Sequence, residues 1–324
     1  MGKTAPLTGP KRLILWGLRT FICVGLLLIA LTLVVWAYPP LFIAGLGLAG
    51  RTPMCGSGEI LRGAGQYYRQ QKIKDSFAGR IRIKTQDPAG YNLYSTPDGD
   101  FWLPRNSDEV LPILLAQQNV DLYGLGGRGV KRGDVVLDCG AHVGLYTKTA
   151  LRAGAKLVVA IEPAPANLEC LRRNLKAEIA AGKVVVCPKG VWDKTEILPL
   201  YENVGNTAGD SFVEQVEGAV VAGRIPLTTI DTLAAELHLP RVDFIKMDIK
   251  GAAEKALMGG HGILGAFRPR LAISSEEDSD RPVAVSRAVE ALGLGYHRSC
   301  GSCTLQNGSV SPDVLFFYSP AGPK

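Results

Sequence analysis

Acidic residues are almost absent from the first 74 residues of this 324-residue sequence. That stretch contains nine Lys and Arg residues but only one acid, Glu59. The other 250 residues contain 27 basic and 29 acidic residues, so the formal net charge of +6 comes from the N-terminal stretch. A basic surface suited to nucleic acid is therefore not expected on most of the protein, and we expect no nucleic-acid partner.

The sequence also lacks a repeat of fixed period, although it contains 38 glycines and 20 prolines. Charged residues make up 20% of the chain and hydrophobic residues 47%, and the mean hydropathy is +0.12. This composition excludes a disordered, collagen-like or coiled-coil protein. A chain of this length can form one large α/β domain with an additional segment, or two modest domains.

No charged residue or histidine occurs among the 31 residues from Thr20 to Gly50. About 20 apolar residues suffice for a helix to cross a bilayer, whereas a cleaved signal peptide has an apolar stretch of about 7–15 residues. Aromatic residues typical of the membrane interface lie near both ends of the run: Trp16, Trp36 and Tyr38. We therefore predict a single-pass anchor at residues 1–50 that spans the lipid bilayer at about residues 13–38.

The residues after the predicted span are of two kinds. Pro39 and Pro40 end the helix because proline donates no backbone hydrogen bond. Residues 41–50 are apolar but too few to cross the bilayer, so they lie either at the membrane interface or in a shallow re-entrant piece. Residues 51–90 are predicted to be a basic juxtamembrane linker, with a helix at Glu59–Lys74 that faces either anionic lipid headgroups or solvent.

The seven cysteines indicate a reducing environment. Several of them lie inside apparent strands or helices, and Cys139 and Cys187 are expected to be buried, so we predict free thiols. His297, Cys300 and Cys303 have the spacing of three zinc ligands, but a structural zinc ion needs four. We therefore interpret this segment as a loop with incidental thiols.

Residues 91–324 have the pattern of an α/β domain. Five buried apolar runs alternate with helical segments, and the runs are Val135–Asp138, Leu157–Ile161, Val184–Cys187, Val242–Met247 and Arg270–Ser274. Such alternation predicts βαβ units, and therefore a doubly wound, mostly parallel, Rossmann-like sheet with helices on both faces.

A glycine-containing loop follows the first of these runs. Asp138 ends the strand, and Gly140 and Gly144 precede the next helix. Open α/β sheets bind ligands at the carboxyl ends of their strands, where glycines let a ligand approach the backbone. The spacing is G-x-x-x-G and not the G-x-G-x-x-G of dinucleotide sites. Because Asp138 repels a pyrophosphate, it favours a ligand with a positive centre, such as the amino group of a methionine-derived sulfonium.

Glu162 ends the second predicted strand, about 20 residues after the glycine loop, where an acid accepts hydrogen bonds from ribose hydroxyls. Alone, such an acid is more often a solvated strand end. Together with the loop, it predicts a nucleoside site without pyrophosphate-binding features, and S-adenosylmethionine is the common ligand that fits.

Four segments of the chain resemble one family in the family's own order. They are VVLDCGAHVGLYTKTALRAGAKLVVAIEPAPANLECLRRNL, KGVWDKTEILPLY, IPLTTIDTL and VDFIKMDIKGAAEKALMGG. From about Tyr91 to Tyr318 the sequence resembles the FkbM-type S-adenosylmethionine-dependent methyltransferases. The resemblance implies a class I methyltransferase fold and O-methylation of a hydroxyl on a glycan, a lipid-linked molecule or another secondary metabolite.

The resemblance also implies a set of cofactor-binding residues. Val191 and Trp192 are expected to contact the adenine ring, and Asp193 its polar edge. In chain order the implied residues are Asp138, Gly140, Ala141, Gly144, Glu162, Val191, Trp192 and Asp193. This cofactor is made in the cytoplasm. Since four basic residues before the span and three after it give no decisive orientation, we expect a cytoplasmic catalytic domain on that ground.

Asp248 is the predicted catalytic residue, because the strand that it ends faces the transferable methyl group in this fold. Its carboxylate can position or deprotonate the acceptor hydroxyl, or bind a divalent cation. Many family members have Asp-x-Glu-Gly-x-Glu here, whereas this chain has Lys250 and Ala253 in place of the two glutamates. That replacement weakens the case for a metal, and no metal ligand is predicted.

Two alternatives concern the residues around this strand end. Asp248 can instead cap the following helix by accepting from its first amides. Lys246 and Lys250 flank Asp248, and neighbouring cations keep a carboxylate ionised. His142, within the glycine loop, is a further candidate for the base, although a histidine there can simply lie near the cofactor.

Three functions remain compatible with the sequence to different degrees. The first is a membrane-anchored methyltransferase acting on a small-molecule or glycan acceptor. The second is a membrane-tethered sensor or scaffold that binds a nucleoside without catalysis, which the missing glutamates motivate. The third, a nucleotide-dependent oxidoreductase, is disfavoured by the G-x-x-x-G spacing.

Overall fold

The computed structural model describes residues 9–50, 54–105, 107, 109–202, 213, 220–275, 281–306 and 309–320. Residues 1–8 of the predicted anchor lie outside this part of the chain. The statements that follow concern the described residues.

Three helices form the N-terminal part: α1 (Gly9–Ala37), α2 (Pro40–Leu48) and α3 (Ser57–Ala78). The 22 residues Trp16–Ala37 of α1 are long and apolar enough to cross a membrane, and none of the most apolar window is buried in the protein. The helix ends at Ala37, and only Tyr38 separates it from the two prolines that were predicted to end it.

Helices α2 and α3 pack against the rest of the protein. Ile43 and Leu46 of α2 lie against a cluster formed by Ile60, Cys303 and Val310. Residues 41–48 therefore form a docked helix, and residues 57–78 of the predicted linker form a second one. The close approach of α3 depends on a glycine, because a Cβ atom at Gly63 would lie 2.5 Å from the carbonyl oxygen of Gly301.

A disulfide joins Cys55 to Cys300, with an S–S distance of 2.04 Å. The prediction of free thiols is therefore wrong for these two residues, whereas Cys139 and Cys187 are buried free thiols as predicted. The two bonded cysteines are separated by 245 positions, and only the packing of α3 brings them together. The bond also removes Cys300 from the zinc-ligand spacing, and the described residues contain no group of three or more potential metal ligands.

The remaining strands and helices follow α3 in chain order. The strands are β1 (Arg82–Asp87), β2 (Tyr91–Thr96), β3 (Gly99–Pro104), β4 (Val135–Cys139), β5 (Leu157–Ile161), β6 (Val184–Cys187), β7 (Gly190–Val191), β8 (Glu196–Glu202), β9 (Val220–Thr228), β10 (Phe244–Met247), β11 (Arg270–Ser274), β12 (His297–Cys300), β13 (Cys303–Gln306), β14 (Ser309–Pro312) and β15 (Val314–Tyr318). The helices are α4 (Leu111–Asn119), α5 (Leu145–Arg152), α6 (Pro165–Asn174), α7 (Lys176–Ala180), α8 (Ile230–Glu236), α9 (Ala253–Met258), α10 (His261–Phe267) and α11 (Arg281–Ala291).

A seven-stranded sheet forms the centre of the α/β domain, in the order β12-β15-β11-β10-β4-β5-β6. The five strands from β11 to β6 are parallel, and β15 runs antiparallel to both of its neighbours. The predicted mostly parallel α/β sheet is confirmed. Smaller sheets, β1-β2-β3, β7-β9-β8 and β13-β14, lie around it.

Alternate residues of the central strands enter two different cores. Leu137 and Ile245 pack with Leu233 and Leu257 from α8 and α9. Their chain neighbours Val136 and Phe244 pack in a second cluster with side chains of α5. Because strand side chains alternate between faces, the two clusters lie on opposite sides of the sheet, so helices cover both faces as predicted. Full burial of each such side chain is worth about 1.5–3 kcal/mol.

Candidate active site

The carboxyl ends of three neighbouring strands bring the predicted site residues to one edge of the sheet. In the parallel register, Lys246 of β10 lies beside Asp138 of β4, and Asp138 lies beside Ala160 of β5. Glu162 follows β5 and Asp248 follows β10 directly. These side chains therefore lie at one edge of the sheet, and this is the edge at which open α/β sheets bind ligands.

The loop after β4 requires glycine at Gly140. Its φ is +77°, and a Cβ atom there would lie 2.0 Å from the carbonyl oxygen of Asp248. The amides of Gly140 and Ala141 both donate to the carbonyl oxygen of Ile161 at 3.0 Å. The loop is therefore fixed between the ends of β5 and β10.

Gly144 starts helix α5 in the left-handed region, with φ +89°. A Cβ atom there would lie 2.7 Å from Leu175 Cδ1. Both glycines of the G-x-x-x-G spacing are thus needed for the path of the chain, whether or not a ligand is bound.

Asp138 is buried completely, and its charge is matched by a lysine. Lys246 Nζ lies 3.1 Å from Asp138 Oδ1, and the Thr147 hydroxyl donates to Asp138 Oδ2 at 2.6 Å. Lys246 also donates to the carbonyl oxygen of Gly140 at 2.7 Å. Asp138 therefore holds the strand end and the glycine loop together, and its contact with a cationic ligand stays a prediction.

Lys246 is a site residue that sequence reasoning placed only beside Asp248. Its position opposite Asp138 follows from the parallel register of β4 and β10. The two predicted strands have an acid and a lysine near their carboxyl ends, and this pattern could have predicted the ion pair between Asp138 and Lys246. The Tyr123 and Tyr146 rings lie 5.4 Å and 5.7 Å from its ammonium, and such contacts favour a buried cation.

Glu162 is 5% exposed and accepts backbone hydrogen bonds within the site. Its two oxygens accept from the amides of His142 at 2.9 Å and Ala164 at 3.0 Å, and Asn167 Nδ2 lies at 3.4 Å. Burial raises the pKa of Glu162, and these hydrogen bonds oppose that effect only in part. A carboxylate offers about four acceptor positions, so Glu162 retains capacity for one further donor.

The segment predicted to hold adenine combines a buried strand with a paired acid. Val191 of β7 is 1% exposed, and half-buried Trp192 packs in the cluster that contains Ala164. Asp193 Oδ2 accepts from Lys255 Nζ at 2.7 Å. Within the described part of the chain, Asp193 Oδ1 is buried and has no hydrogen-bond partner. This oxygen is an acceptor available to an amino group.

Asp248 accepts from a tyrosine and lies near a lysine. The Tyr123 hydroxyl donates to Asp248 Oδ2 at 2.9 Å, and Lys250 Nζ lies 3.6 Å from Oδ1. Burial raises the pKa of Asp248, but Lys250, Lys246 and the Tyr123 hydrogen bond outweigh it, so that the pKa is lowered from its ordinary value. The prediction that neighbouring lysines keep Asp248 ionised is confirmed.

The alternative role of Asp248 as a helix cap is not borne out. Helix α9 starts at Ala253, with Ala252 at its N-cap and no side-chain hydrogen bond to the cap. The Asp248 side chain is instead directed to Tyr123 and Lys250. Sequence reasoning missed Tyr123, since it lies 125 positions from Asp248 and carries no local signal of that contact.

His142 is held neutral in the glycine loop. Its backbone is left-handed, with φ +50°. Burial, together with Lys246 and Lys250, lowers the pKa of His142 to about 4, and Asp248 opposes this effect only in part. A neutral imidazole next to an ionised carboxylate can accept a proton.

A family model describes the part of the chain that contains this site. The model of the methyltransferase FkbM domain matches residues 138–296. These residues belong to the methyltransferase FkbM family. The match begins at Asp138, includes every predicted site residue through Asp248, and confirms the resemblance noted in the sequence. No curated protein matches this sequence.

Solved structures of other methyltransferases are similar to this chain at low identity. An FkbM methyltransferase from Methylobacillus flagellatus is 18% identical, with a TM-score of 0.45; the match covers 80% of this chain and 62% of that one. A putative RNA methyltransferase from Pyrococcus horikoshii is 16% identical, with a TM-score of 0.34 and coverages of 77% and 94%. A putative methyltransferase from Streptococcus mutans in complex with SAH is 13% identical, with a TM-score of 0.36 and coverages of 58% and 90%.

The part of the chain that matches the FkbM model has an α/β fold. Its central sheet is mostly parallel, and its candidate site contains Asp248 with Lys250 beside it.

Proposed function

We propose that this protein is a membrane-anchored S-adenosylmethionine-dependent methyltransferase that O-methylates a hydroxyl of a glycan, a lipid-linked molecule or another secondary metabolite. The observation that carries the proposal is that the glycine loop of an FkbM domain donates to Glu162 through the amide of His142 and packs closely against the backbone of Asp248. These residues divide naturally into a nucleoside-binding part and an acceptor-binding part.

The nucleoside-binding part fits the cofactor on two independent atoms. Glu162 retains acceptor capacity for a ribose hydroxyl. Asp193 Oδ1 is a buried acceptor without a hydrogen-bond partner among the described residues, and the exocyclic amino group of adenine is a donor. Half-buried Trp192 supplies aromatic surface beside it, whereas Val191 is almost completely buried. Asp138, Gly140, Ala141 and Gly144 fix the loop that the rest of the cofactor would contact.

Methyl transfer requires alignment more than covalent help from the protein. When bound, S-adenosylmethionine supplies a methyl group on a sulfonium sulfur, which an acceptor oxygen attacks in line. Asp248 is ionised and accepts the hydrogen bond of the acceptor hydroxyl, which orients the oxygen. Neutral His142 can accept the hydroxyl proton, but its lowered pKa makes it a weak base, so the main contribution proposed for the site is orientation of the acceptor oxygen.

Lys250 distinguishes this site from one built on paired carboxylates. Its ammonium lies 3.6 Å from Asp248 Oδ1, where a second acid is common in the family. A fixed positive charge at this distance disfavours a divalent cation on Asp248 and favours an acceptor held by the carboxylate itself. We therefore propose that acceptor positioning depends on Asp248, with Tyr123 fixing its carboxylate.

The N-terminal helix and the disulfide bear on where the enzyme acts. Helix α1 supplies the membrane anchor in this proposal, and α2 and α3 dock the catalytic domain close to it. The Cys55–Cys300 disulfide favours an oxidising compartment and thus the side opposite the cytoplasm, against the location expected from the source of the cofactor. The small excess of basic residues before the span, four against three, agrees with this orientation.

A second candidate function is a nucleoside-binding sensor without turnover, which the replacement of both family glutamates by Lys250 and Ala253 favours. Purified full-length protein in detergent, incubated with methyl-labelled S-adenosylmethionine and membrane glycans and lipids, separates the two. Label transfer that is lost in Asp248→Asn supports the methyltransferase. Cofactor binding without transfer, unchanged by Asp248→Asn, supports the sensor, and absence of cofactor binding rejects both.

A further inference from the structure

A second cavity lies at the opposite edge of the central sheet from the candidate active site. Its volume is about 530 Å³. Its walls are formed by residues at the starts of β4, β10 and β11 and at the end of the antiparallel strand β15. The cavity therefore lies at the amino ends of the parallel strands. The cavity is therefore separated from the carboxyl ends of these strands by the length of the sheet.

The lining of this cavity is strongly basic. It contains two acids, Asp134 and Asp243, and six cationic residues: Arg128, Lys131, Arg132, Arg241, Arg268 and Arg270. The amino-edge cavity therefore has a formal lining charge of +4, although the catalytic part of the chain is slightly acidic overall.

Both acids of the cavity already form ion pairs with arginines of its lining. Asp134 pairs with Arg270 and accepts from the amide of Lys131 at 2.6 Å. Asp243 pairs with Arg241 and accepts from the amide of Val135 at 2.8 Å. These contacts leave four lining cations that have no carboxylate partner among the described residues: Arg128, Lys131, Arg132 and Arg268.

Arg128 and Arg268 are fixed in the wall by neutral groups. Arg268 Nη1 donates to the carbonyl oxygen of Leu294 at 2.6 Å. Its Nε is buried and has no hydrogen-bond partner in the described part of the chain. Arg128 Nη1 donates to the carbonyl oxygen of Leu125 at 3.1 Å, and its guanidinium lies 5.8 Å from the Phe316 ring centroid. A guanidinium has five N–H donors, so both residues retain donors for a ligand.

We propose that the amino-edge cavity is a second ligand site that binds a small molecule through a phosphate group. A planar guanidinium matches phosphate geometry, and several charge-assisted hydrogen bonds to one anion offset the mutual repulsion of the four cations. The volume falls within the range of about 300–1,000 Å³ typical of small-molecule sites. Tyr318, which is 43% exposed, supplies aromatic surface for the part of the molecule that carries the phosphate.

The four unpaired cations have separate places in this site. Half-buried Arg128 and Arg268 form its wall, and exposed Lys131 and Arg132 lie at its mouth. Within the described part of the chain the side chains of Lys131 and Arg132 form no hydrogen bond or ion pair, so their replacement tests the ligand without removing such a contact. The site is independent of the proposed methyl transfer, because it lies at the opposite ends of the strands from Glu162 and Asp248.

Calorimetry of the full-length protein in detergent, at fixed ionic strength, tests the site with three probes: inorganic phosphate, glucose 1-phosphate and vesicles that contain phosphatidic acid. We expect a soluble phosphate to bind, and the double variant Lys131→Gln/Arg132→Gln to weaken that binding by about tenfold or more, since hydrogen bonds to charged groups carry it. Arg172→Gln, which removes an exposed arginine of α6, is the matched control and is expected to leave the affinity unchanged.

The probes also distinguish the sources of the phosphate group. Tighter binding of glucose 1-phosphate than of inorganic phosphate indicates an organic phosphate, and equal binding indicates the free anion. Absence of binding by both soluble phosphates, with or without binding to vesicles, overturns the proposal, as does an equal loss of affinity in Arg172→Gln. S-adenosylmethionine affinity measured on the same variants is expected to stay unchanged, which separates this site from the proposed active site.

Discussion

The Asp138 carboxylate and the Lys246 ammonium lie 3.1 Å apart across neighbouring parallel strands, and both side chains are buried. The pair joins the end of β4 to the end of β10 at the edge where the candidate site is formed. Lys246 also binds the carbonyl oxygen of Gly140, so the same ion pair fixes the glycine loop. An acid that the sequence suggests for ligand binding is therefore first of all part of the scaffold.

Breaking this pair from one side is expected to destabilise the protein strongly. Lys246→Met leaves the Asp138 charge buried without its partner, which costs about 3–5 kcal/mol. The double variant Asp138→Asn/Lys246→Met removes both charges and is expected to recover most of that loss. Urea unfolding of the full-length protein in detergent measures both, with exposed Lys156→Met as the control. A double variant no more stable than Lys246→Met would contradict the assignment.

Asp248→Asn is expected to slow methyl transfer without loss of the cofactor. A positioned acid–base group contributes about 10²–10⁴-fold to rate, so we expect a fall in kcat of at least about 10²-fold. Calorimetry with S-adenosylmethionine is expected to give an affinity close to that of the natural protein. A matched loss of both quantities would place Asp248 in cofactor binding instead.

Tyr123→Phe tests whether the hydrogen bond from Tyr123 lowers the pKa of the Asp248 carboxyl. The Tyr123 hydroxyl donates to Asp248 at 2.9 Å and helps to lower the pKa of that carboxyl. Its removal raises the pKa of Asp248, so the acidic limb of the activity profile is expected to move to higher pH. The half-buried Tyr201→Phe serves as the control. An acidic limb that stays in place in Tyr123→Phe contradicts a catalytic role for ionised Asp248.

Glu162→Gln is expected to weaken S-adenosylmethionine binding by about 10–100-fold, because hydrogen bonds to a charged acceptor are the stronger kind. Glutamine also turns one acceptor oxygen into a donor that faces the amide of His142 or Ala164. Calorimetry measures the affinity, and thermal unfolding of the same sample shows whether the site remains folded. Glu178→Gln on α7 is the control, and an unchanged affinity in Glu162→Gln rejects the ribose assignment.

Short sequence patterns predicted the strands and turns whose structure depends mainly on their own residues. The runs Leu157–Ile161, Val184–Cys187 and Arg270–Ser274 form strands with these same bounds, because a short apolar run between polar segments is stable when buried in a parallel sheet. The residues Thr96-Pro-Asp-Gly99 form the turn that joins β2 to β3, and proline, aspartate and glycine are typical turn residues.

Contacts between distant segments were not predictable in the same way. Helix α4 ends at Asn119, and Tyr123 lies beyond its end, where its hydroxyl donates to Asp248. The disulfide partner of Cys300 is set by the packing of α3 and not by spacing in the sequence. Such contacts depend on how helices and strands distant in sequence pack together, and hydrophobic periodicity does not predict this packing.

Asp313 is expected to make the free energy of unfolding decrease as the pH rises. Burial raises the pKa of Asp313 to about 6, and the hydrogen bond from Thr304 opposes this only in part. The unfolded chain releases this proton near pH 4, so the contribution to stability is complete below that value and is lost as the pH rises through about 6.

Asp313→Asn is therefore expected to flatten the fall in stability between about pH 4 and pH 6. Urea unfolding midpoints across this range measure the effect. Asp75→Asn, at a largely exposed side chain, is expected to keep the slope of the natural protein. A slope that is equally steep in Asp313→Asn contradicts the assignment of the proton to Asp313.

The Cys55–Cys300 disulfide predicts the redox state of the protein in its own membrane. Protein alkylated under denaturing, non-reducing conditions and then digested is expected to yield a linked pair of peptides containing these two residues, with Cys139 and Cys187 alkylated. Because the bond closes a long loop of the unfolded chain, Cys300→Ser is expected to lower the free energy of unfolding by about 2–5 kcal/mol. Reduction of the natural protein is expected to lower it by a similar amount and to leave Cys300→Ser unaffected. Alkylated Cys55 and Cys300 in protein taken directly from membranes would instead restore the reducing, cytoplasmic location expected from the cofactor.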